Sequence, residues 1–402
     1  MSKNNRTKTK EPIYLDNASS SPIDVNVINE MLPFLTSFYG NPSSLHGLGR
    51  KSTIAISKAR VRISKLIGAK SNEIYFTSGG TESNNLALIG CARLISTIKP
   101  TCKRLLISKI EHDSIIETIK FIEKDMEFEV DYVPINNDGL IDLDIFREMV
   151  SPKTGLISIM LANNEIGTIQ PIRSLVQIAK AKNNNTIFHS DAVQALGKIP
   201  INVNDLKIDM MTISSHKING PKGIGALFIK QGMHIKPIIF GGGQEMNLRS
   251  GTENVSAIVG FGKACEIWKE KLESAQIKIK GLQRYMIYRI INEIPGSILN
   301  GSLEKRISNN VNFSFPGING ENLLIKLDEY GIEASTGSAC SSNKKQKESH
   351  VLKALGLTFD QVSGSIRFSI GYQNTLEEVK IAVDTLKNLI IEFRKINGDV
   401  FV

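Results

Sequence analysis

The sequence predicts an α/β fold, with a mainly parallel sheet in a large lobe and a smaller α+β lobe after it. Three observations predict this. Short apolar runs alternate with segments of helical periodicity through the first part of the chain. After Thr252 the alternation stops, and one long helical pattern leads into strand–helix–strand material. The 402 residues also exceed what one core commonly holds, so two lobes are the starting expectation.

Taken in order, residues 1–10 are polar and basic with no apolar centre, and read as a disordered tail rather than a secretory leader. Strands are expected over 74–77, 105–108, 130–133, 156–160, 186–189, 210–214 and 226–229. Several of these runs are almost continuously apolar, as befits strands covered on both faces. Residues 82–98 and 172–182 carry apolar side chains at helical spacing and supply intervening helices. A long helix is expected over 254–294, stopped by Pro295-Gly296, as the bridge between lobes. Strands at 311–315, 332–335 and 365–370, with helices at 321–330 and 376–396, complete the smaller lobe.

Composition removes several function classes. The four cysteines, at 91, 102, 265 and 340, lie too far apart for a disulfide scaffold or a structural zinc site. Any important cysteine would act singly. Cys91, Cys102 and Cys265 read as buried packing residues, whereas Cys340 sits in a loop of small residues suited to movement. No apolar run approaches the roughly 18 residues of a membrane helix, so no membrane partner is expected and the location is read as cytoplasmic. The net charge of +9 favours acidic partners, but Lys, Asn and Ile are enriched throughout. Compositional bias explains that charge without any direct nucleic-acid binding.

Three strand ends carry candidate chemistry. Phe76-Thr-Ser-Gly-Gly-Thr-Glu-Ser-Asn-Asn85 runs from a strand through a glycine turn into a helix, where free amides and the helix dipole suit a phosphate. Thr81 as an ordinary helix cap accounts for the same residues equally well. His189-Ser-Asp-Ala-Val-Gln194 ends a strand with Asp191, placed either to pair with a protonated pyridine nitrogen or simply to cap a helix. Ser214-Ser-His-Lys-Ile-Asn-Gly-Pro-Lys-Gly223 sets Lys217 against a strand end and Lys222 in the turn beyond. Desolvation lowers a lysine's pKa and lets it form a Schiff base, which favours Lys217, although most lysines are surface decoration.

These motifs resemble the fold-type I pyridoxal-phosphate enzymes in kind and order. Their full wording is similar to the NifS/IscS-type cysteine desulfurases of the class V aminotransferase group. The matching stretches are Tyr14-Leu-Asp-Asn-Ala, Gly40-Asn-Pro-Ser-Ser-Leu-His46, the 77–85 turn, Asn163-Asn-Glu-Ile-Gly167, Asp191-Ala-Val-Gln194, Ser-His-Lys217, Arg249-Ser-Gly-Thr-Glu-Asn254 and Gly337-Ser-Ala-Cys340. The resemblance runs from about residue 12 to about residue 395. It implies a fold-type I transferase: a mainly parallel seven-stranded sheet in a large domain at 17–262, and a small domain from 11–16 and 263–402. The small domain would include a mobile cysteine loop at about 336–348.

The resemblance also implies roles. Lys217 would hold pyridoxal 5'-phosphate as a Schiff base and shuttle the α-proton, and His112 would stack on the ring and assist proton transfer. Asp191 would pair with the ring nitrogen, and Asn164 and Gln194 would hydrogen-bond the ring hydroxyl. Gly80, Thr81, Ser214 and His216 would bind the phosphate, and Thr252 would reach the phosphate of a neighbouring subunit in a homodimer. Arg367, in an apolar strand, would clamp the carboxylate of L-cysteine with help from Asn164; a planar guanidinium suits that bidentate task. Cys340 would take up the sulfur as a persulfide, release L-alanine and hand the sulfur to an acceptor or iron–sulfur scaffold protein. No metal site is expected, apart from Cys340 as a transient ligand of an iron–sulfur cluster.

Two departures stand out. The segment after Cys340 is lysine-rich, lacks the Glu-Pro pair common before Ser-His and is one residue longer, so Lys344, Lys345 and Lys347 either dock an acidic acceptor or simply solubilise the loop. Met246 stands where an arginine is usual. The rival expectations are a selenocysteine lyase, which would keep acting after Cys340→Ala, and a non-catalytic scaffold of the same fold, which would lack the cofactor's yellow colour.

Overall fold

The computed structural model describes residues 11–336 and 348–397. Seven strands build the main sheet: β2 (Ile74–Thr77), β3 (Arg104–Ser108), β4 (Glu129–Val133), β5 (Thr154–Ser158), β6 (Ile187–Asp191), β7 (Met210–Ser214) and β8 (Gly225–Ile229). β1 (Ile13–Tyr14) precedes them and belongs elsewhere. Their order is β2-β8-β7-β6-β5-β3-β4, and β8 alone runs against its neighbours. All other neighbouring pairs of this sheet are parallel, as the alternating pattern predicts. β5, β7 and β8 are buried along their whole length, the reason their residues read as unbroken apolar runs.

Helices cover the sheet. They are α1 (Val25–Thr36), α2 (Gly47–Ile67), α3 (Gly80–Ile98), α4 (Asp113–Met126), α5 (Leu143–Met149), α6 (Ile172–Lys182) and α7 (Val203–Leu206). The long α8 (Val255–Glu293) follows without a break, so residue 262 lies inside it. Asn254 caps its start through the amide of Ala257, and the chain turns out at Pro295-Gly296, where Gly296 takes a positive φ of 70°. Beyond it, β9 (Ile298–Leu299), β10 (Asn310–Ser314) and β12 (Ser365–Ser369) form an antiparallel sheet in the order β12-β10-β9. β1 pairs in parallel with β11 (Ile332–Glu333). α9 (Gly320–Glu329), α10 (His350–Ala354), α11 (Phe359–Ser363) and α12 (Leu376–Asn397) complete the fold.

One apolar core spans both halves, joining Phe188 and Ile213 of the main sheet to Phe261 and Trp268 of α8 and to Phe313 and Phe368 of the smaller sheet. Cys91 and Cys265 are buried as expected. Cys102 corrects that expectation: it is only partly buried, because it lies in the turn before β3 rather than in the strand. Among the described residues no helix is long and apolar enough to cross a membrane.

Candidate active site

Five segments reach a common cleft from the carboxyl ends of strands that share one direction. They follow β2, β3, β5, β6 and β7, the edge at which open α/β sheets gather ligands. A cleft of about 260 Å³ opens there, lined by Gly80, Thr81, His112, Asn164, Asp191, Gln194, Ser214, His216, Lys217 and Arg367. All ten were singled out in the sequence. Thr252 is exposed and does not line the cleft. Cys340, Lys344, Lys345 and Lys347 lie outside the described residues, as does the 1–10 segment.

The glycine turn works as its sequence suggests, with one difference. Gly79, not Thr81, occupies the cap position of α3, so Thr81 sits in the first helical turn and presents its side chain to the cleft. Gly80 packs against Val193, since an added Cβ would lie 3.0 Å from Val193 Cγ2. The first-turn amides and dipole of this 19-residue helix therefore face a neighbourhood holding Ser214, His216 and Lys222. Burial and the nearby Lys217, Lys222 and Lys198 push His216 down to about 4, so near neutrality its ring is uncharged.

Asp191 ends β6 and does not cap a helix. Its Oδ1 accepts from the Val193 amide at 2.9 Å and its Oδ2 from Asn84 Nδ2 at 2.8 Å. Next to it, buried Glu111 is held well above the usual carboxylate range by desolvation, and the nearby Asp191 charge acts in the same direction. His112 caps α4, and its Nδ1 accepts from the Ser114 amide at 3.1 Å. A neutral ring accepting there carries its proton on Nε2.

Lys217 follows β7 in a single helical turn and donates from Nζ to the carbonyls of Ala18 and Ser19, each at 2.6 Å. Lys222 does not line the main cleft but a neighbouring hollow beside the glycine turn, with Ser78, Gly79 and Glu82. Behind Lys217 lies a buried second lysine: Lys198 Nζ donates to the Lys217 carbonyl at 3.2 Å, and burial lowers it to about 7.

Arg367 comes from β12, almost wholly enclosed. Its Nη1 donates to Asn164 O at 2.9 Å, and its Nη2 to Asp16 Oδ1 at 2.9 Å and Ser19 Oγ at 2.8 Å. Its Nε is buried with no hydrogen-bond partner among the described residues. The Asn163–Gly167 turn that presents Asn164 is fixed locally. Asn163 Oδ1 accepts from the amides of Glu165 and Ile166, and Gly167 adopts a φ of 74° where an added Cβ would meet Asn310 at 2.7 Å.

Sequence reasoning left unassigned several residues of this cleft and its surroundings. Asn84 and Glu165 lie within motifs it quoted, Glu111 directly precedes His112, and Ser19 directly follows the Tyr14-Leu-Asp-Asn-Ala stretch; Lys198 carried no local signal. Met246 is exposed within three successive left-handed residues, Glu245 to Asn247, and nothing in the structure explains it.

Comparisons with known proteins agree with this geometry. Residues 13–381 match the family described as Aminotransferase class-V. The chain is 45% identical over 388 residues to "Cysteine desulfurase IscS" of Dictyoglomus turgidum, covering 96% of this chain and 97% of that one. A solved structure titled "NIFS-LIKE PROTEIN" superposes with a TM-score of 0.88 at 38% identity, covering 95% of this chain and 100% of the other. Another, "SspA in complex with cysteine", gives 0.78 at 34% identity, covering 90% and 100%.

Proposed function

This chain belongs to the Aminotransferase class-V family and is a cysteine desulfurase of the IscS and NifS kind, and from that premise we infer that it frees the sulfur of L-cysteine using pyridoxal 5'-phosphate held in the cleft. One observation carries the reading: Lys217, Asp191, His112 and Arg367 converge on a single cavity. When bound, pyridoxal phosphate supplies an electron sink that lets a proton leave the substrate's α-carbon.

The residues fit that group. Gln194 Oε1 and Asn84 Oδ1, in residues of the cleft wall, are buried acceptors without partners among the described residues. The first can accept from a ring hydroxyl, alongside Asn164. Asp191, supplied with donors by Asn84 and Val193, would hold the proton of the pyridine nitrogen. Gly80, Thr81, Ser214 and His216 would bind the phosphate, and Thr252 would serve the phosphate site of a second copy in a homodimer. His112, with its proton on Nε2, would cover one ring face. Lys217 would hold the cofactor covalently; its amine, once released, would carry the α-proton between sites.

Arg367 would take the substrate carboxylate, its unpartnered Nε being available for a further hydrogen bond. Cys340 would then attack the substrate sulfur. An S–S bond forms, the substrate's C–S bond breaks, and its electron pair stays on carbon. One proton, equal to the one the Cys340 thiol gave up, completes L-alanine, and the persulfide passes to a protein acceptor for iron–sulfur assembly or nucleic-acid thiolation. Borohydride reduction of the purified protein followed by peptide mapping should place the label on Lys217, and Cys340→Ala should keep the cofactor absorbance while losing sulfur release. A label on Lys222, or on no lysine, overturns the assignment.

A further inference from the structure

We propose that Glu165 is a positioning residue that sets how tightly Arg367 holds the substrate carboxylate, through the buried carboxyl it carries next to the peptide that Arg367 grips. This rests on the reading that Arg367 receives that carboxylate. Glu165 is 5% exposed, and three parts of the chain meet on it. Its carbonyl accepts from the side chains of Asn310 and Asn312 on β10, at 2.8 and 3.0 Å. Its Oε2 takes the hydroxyl of Ser349 at 2.5 Å, and Ser349 in turn caps α10 through the Leu352 amide at 3.0 Å. The peptide just before it, at Asn164, is the one Arg367 Nη1 grips.

The charge count gives this geometry its consequence. Among the described residues, the ionisable groups that act on Glu165 are Arg367 on β12 and His112 and Asp113 at the start of α4. Asp113 is exposed, so water screens it, and His112 is partly buried. Arg367 is already neutralised by Asp16, its ion-pair partner. With Glu165 uncharged, an incoming carboxylate meets one guanidinium and one enclosed protein carboxylate. With Glu165 ionised it would meet two such carboxylates, in surroundings where charges interact strongly. Burial pushes the Glu165 carboxyl up to about 7, while Ser349 and then Arg367 pull it down, so the group is neutral below that point and ionises above it.

The test uses the holoenzyme and calorimetric binding of L-alanine, which has no thiol to titrate and whose amino group behaves alike in every variant. In the native protein the dissociation constant should be flat below about pH 6.5 and weaken about tenfold by about pH 8.5, the size expected of one nearby charge partly screened. Glu165→Gln should remove that added weakening. Ser349→Ala deletes a donor that favours the anion, and should move the break to higher pH. Stability offers a readout independent of ligand. A raised carboxyl pKa makes ionisation destabilise the fold as pH rises from the ordinary 4.5 through about 7, so the melting temperature of Glu165→Gln should gain on the native protein across that range. Equal pH slopes in the native protein and Glu165→Gln overturn the proposal, as does an unmoved break in Ser349→Ala should the glutamine variant not fold. Arg367→Gln separates the two ideas: if it leaves alanine binding intact at every pH, the carboxylate reading itself has failed.

Discussion

Asp191 and Arg367 line one cleft, yet the chain brings each of them there by a different route. Asp191 stands at the end of β6, between two parallel neighbours, and takes one hydrogen bond from a residue two positions on and another from Asn84 on α3. Arg367 lies on an edge strand of the smaller sheet, and its partners are 203, 348 and 351 residues away in sequence. The proposed cofactor end is therefore built mainly on one sheet. The proposed substrate end is assembled from the first strand region, the Asn163–Gly167 turn and the far end of the chain. Damage to the first should act through the cofactor, and damage to the second through substrate affinity.

Asp191→Ala tests that division with the largest expected effect. Removing a preorganised charge at the reacting group should lower kcat for L-cysteine desulfuration about a thousandfold, read by alanine release. Arg367→Ala should raise KM about a hundredfold, the loss of a charge-assisted bidentate contact, while the cofactor absorbance of the purified protein stays unchanged. If that variant also loses the cofactor, the two ends are not separable in this way. Asn84→Ala should have the smallest effect. It strips one hydrogen bond from Asp191, and should cost about 1 to 2 kcal/mol of stability in denaturant unfolding and about tenfold in kcat, with KM unaffected.

The same contrast explains what could be read ahead of the structure. The strands at Ile74–Thr77 and Met210–Ser214 and the helix at Ile172–Lys182 came out residue for residue, because their apolar periodicity is local. The expected strand at 156–160 instead ends at Ser158. Ile159, Met160 and Leu161 are buried too, but they line the chain's exit toward the cleft, and hydrophobicity does not separate a strand from a buried connection. No helix was read between β1 and β2, although α1 and α2 lie there on either side of the quoted 40–46 stretch, and α2 scatters lysines and arginines among its apolar residues. Cys102 was placed correctly before a strand but misjudged as buried, because what covers a connecting residue is decided by distant parts of the chain.

Lys198 and Glu165 mark the limit most sharply. Each is an ordinary charged residue in the sequence, and each has a pKa of about 7 only because of what surrounds it. Strand ends, glycine turns and the residues set upon them are dictated within a few positions by backbone geometry, so the amino-acid order determined the sheet, the glycine turn before α3 and the lysine that follows β7. The tertiary structure decided which distant segments meet at Arg367 and which ionisable groups lose their water. Desolvation belongs to an environment, and no single stretch of chain carries it.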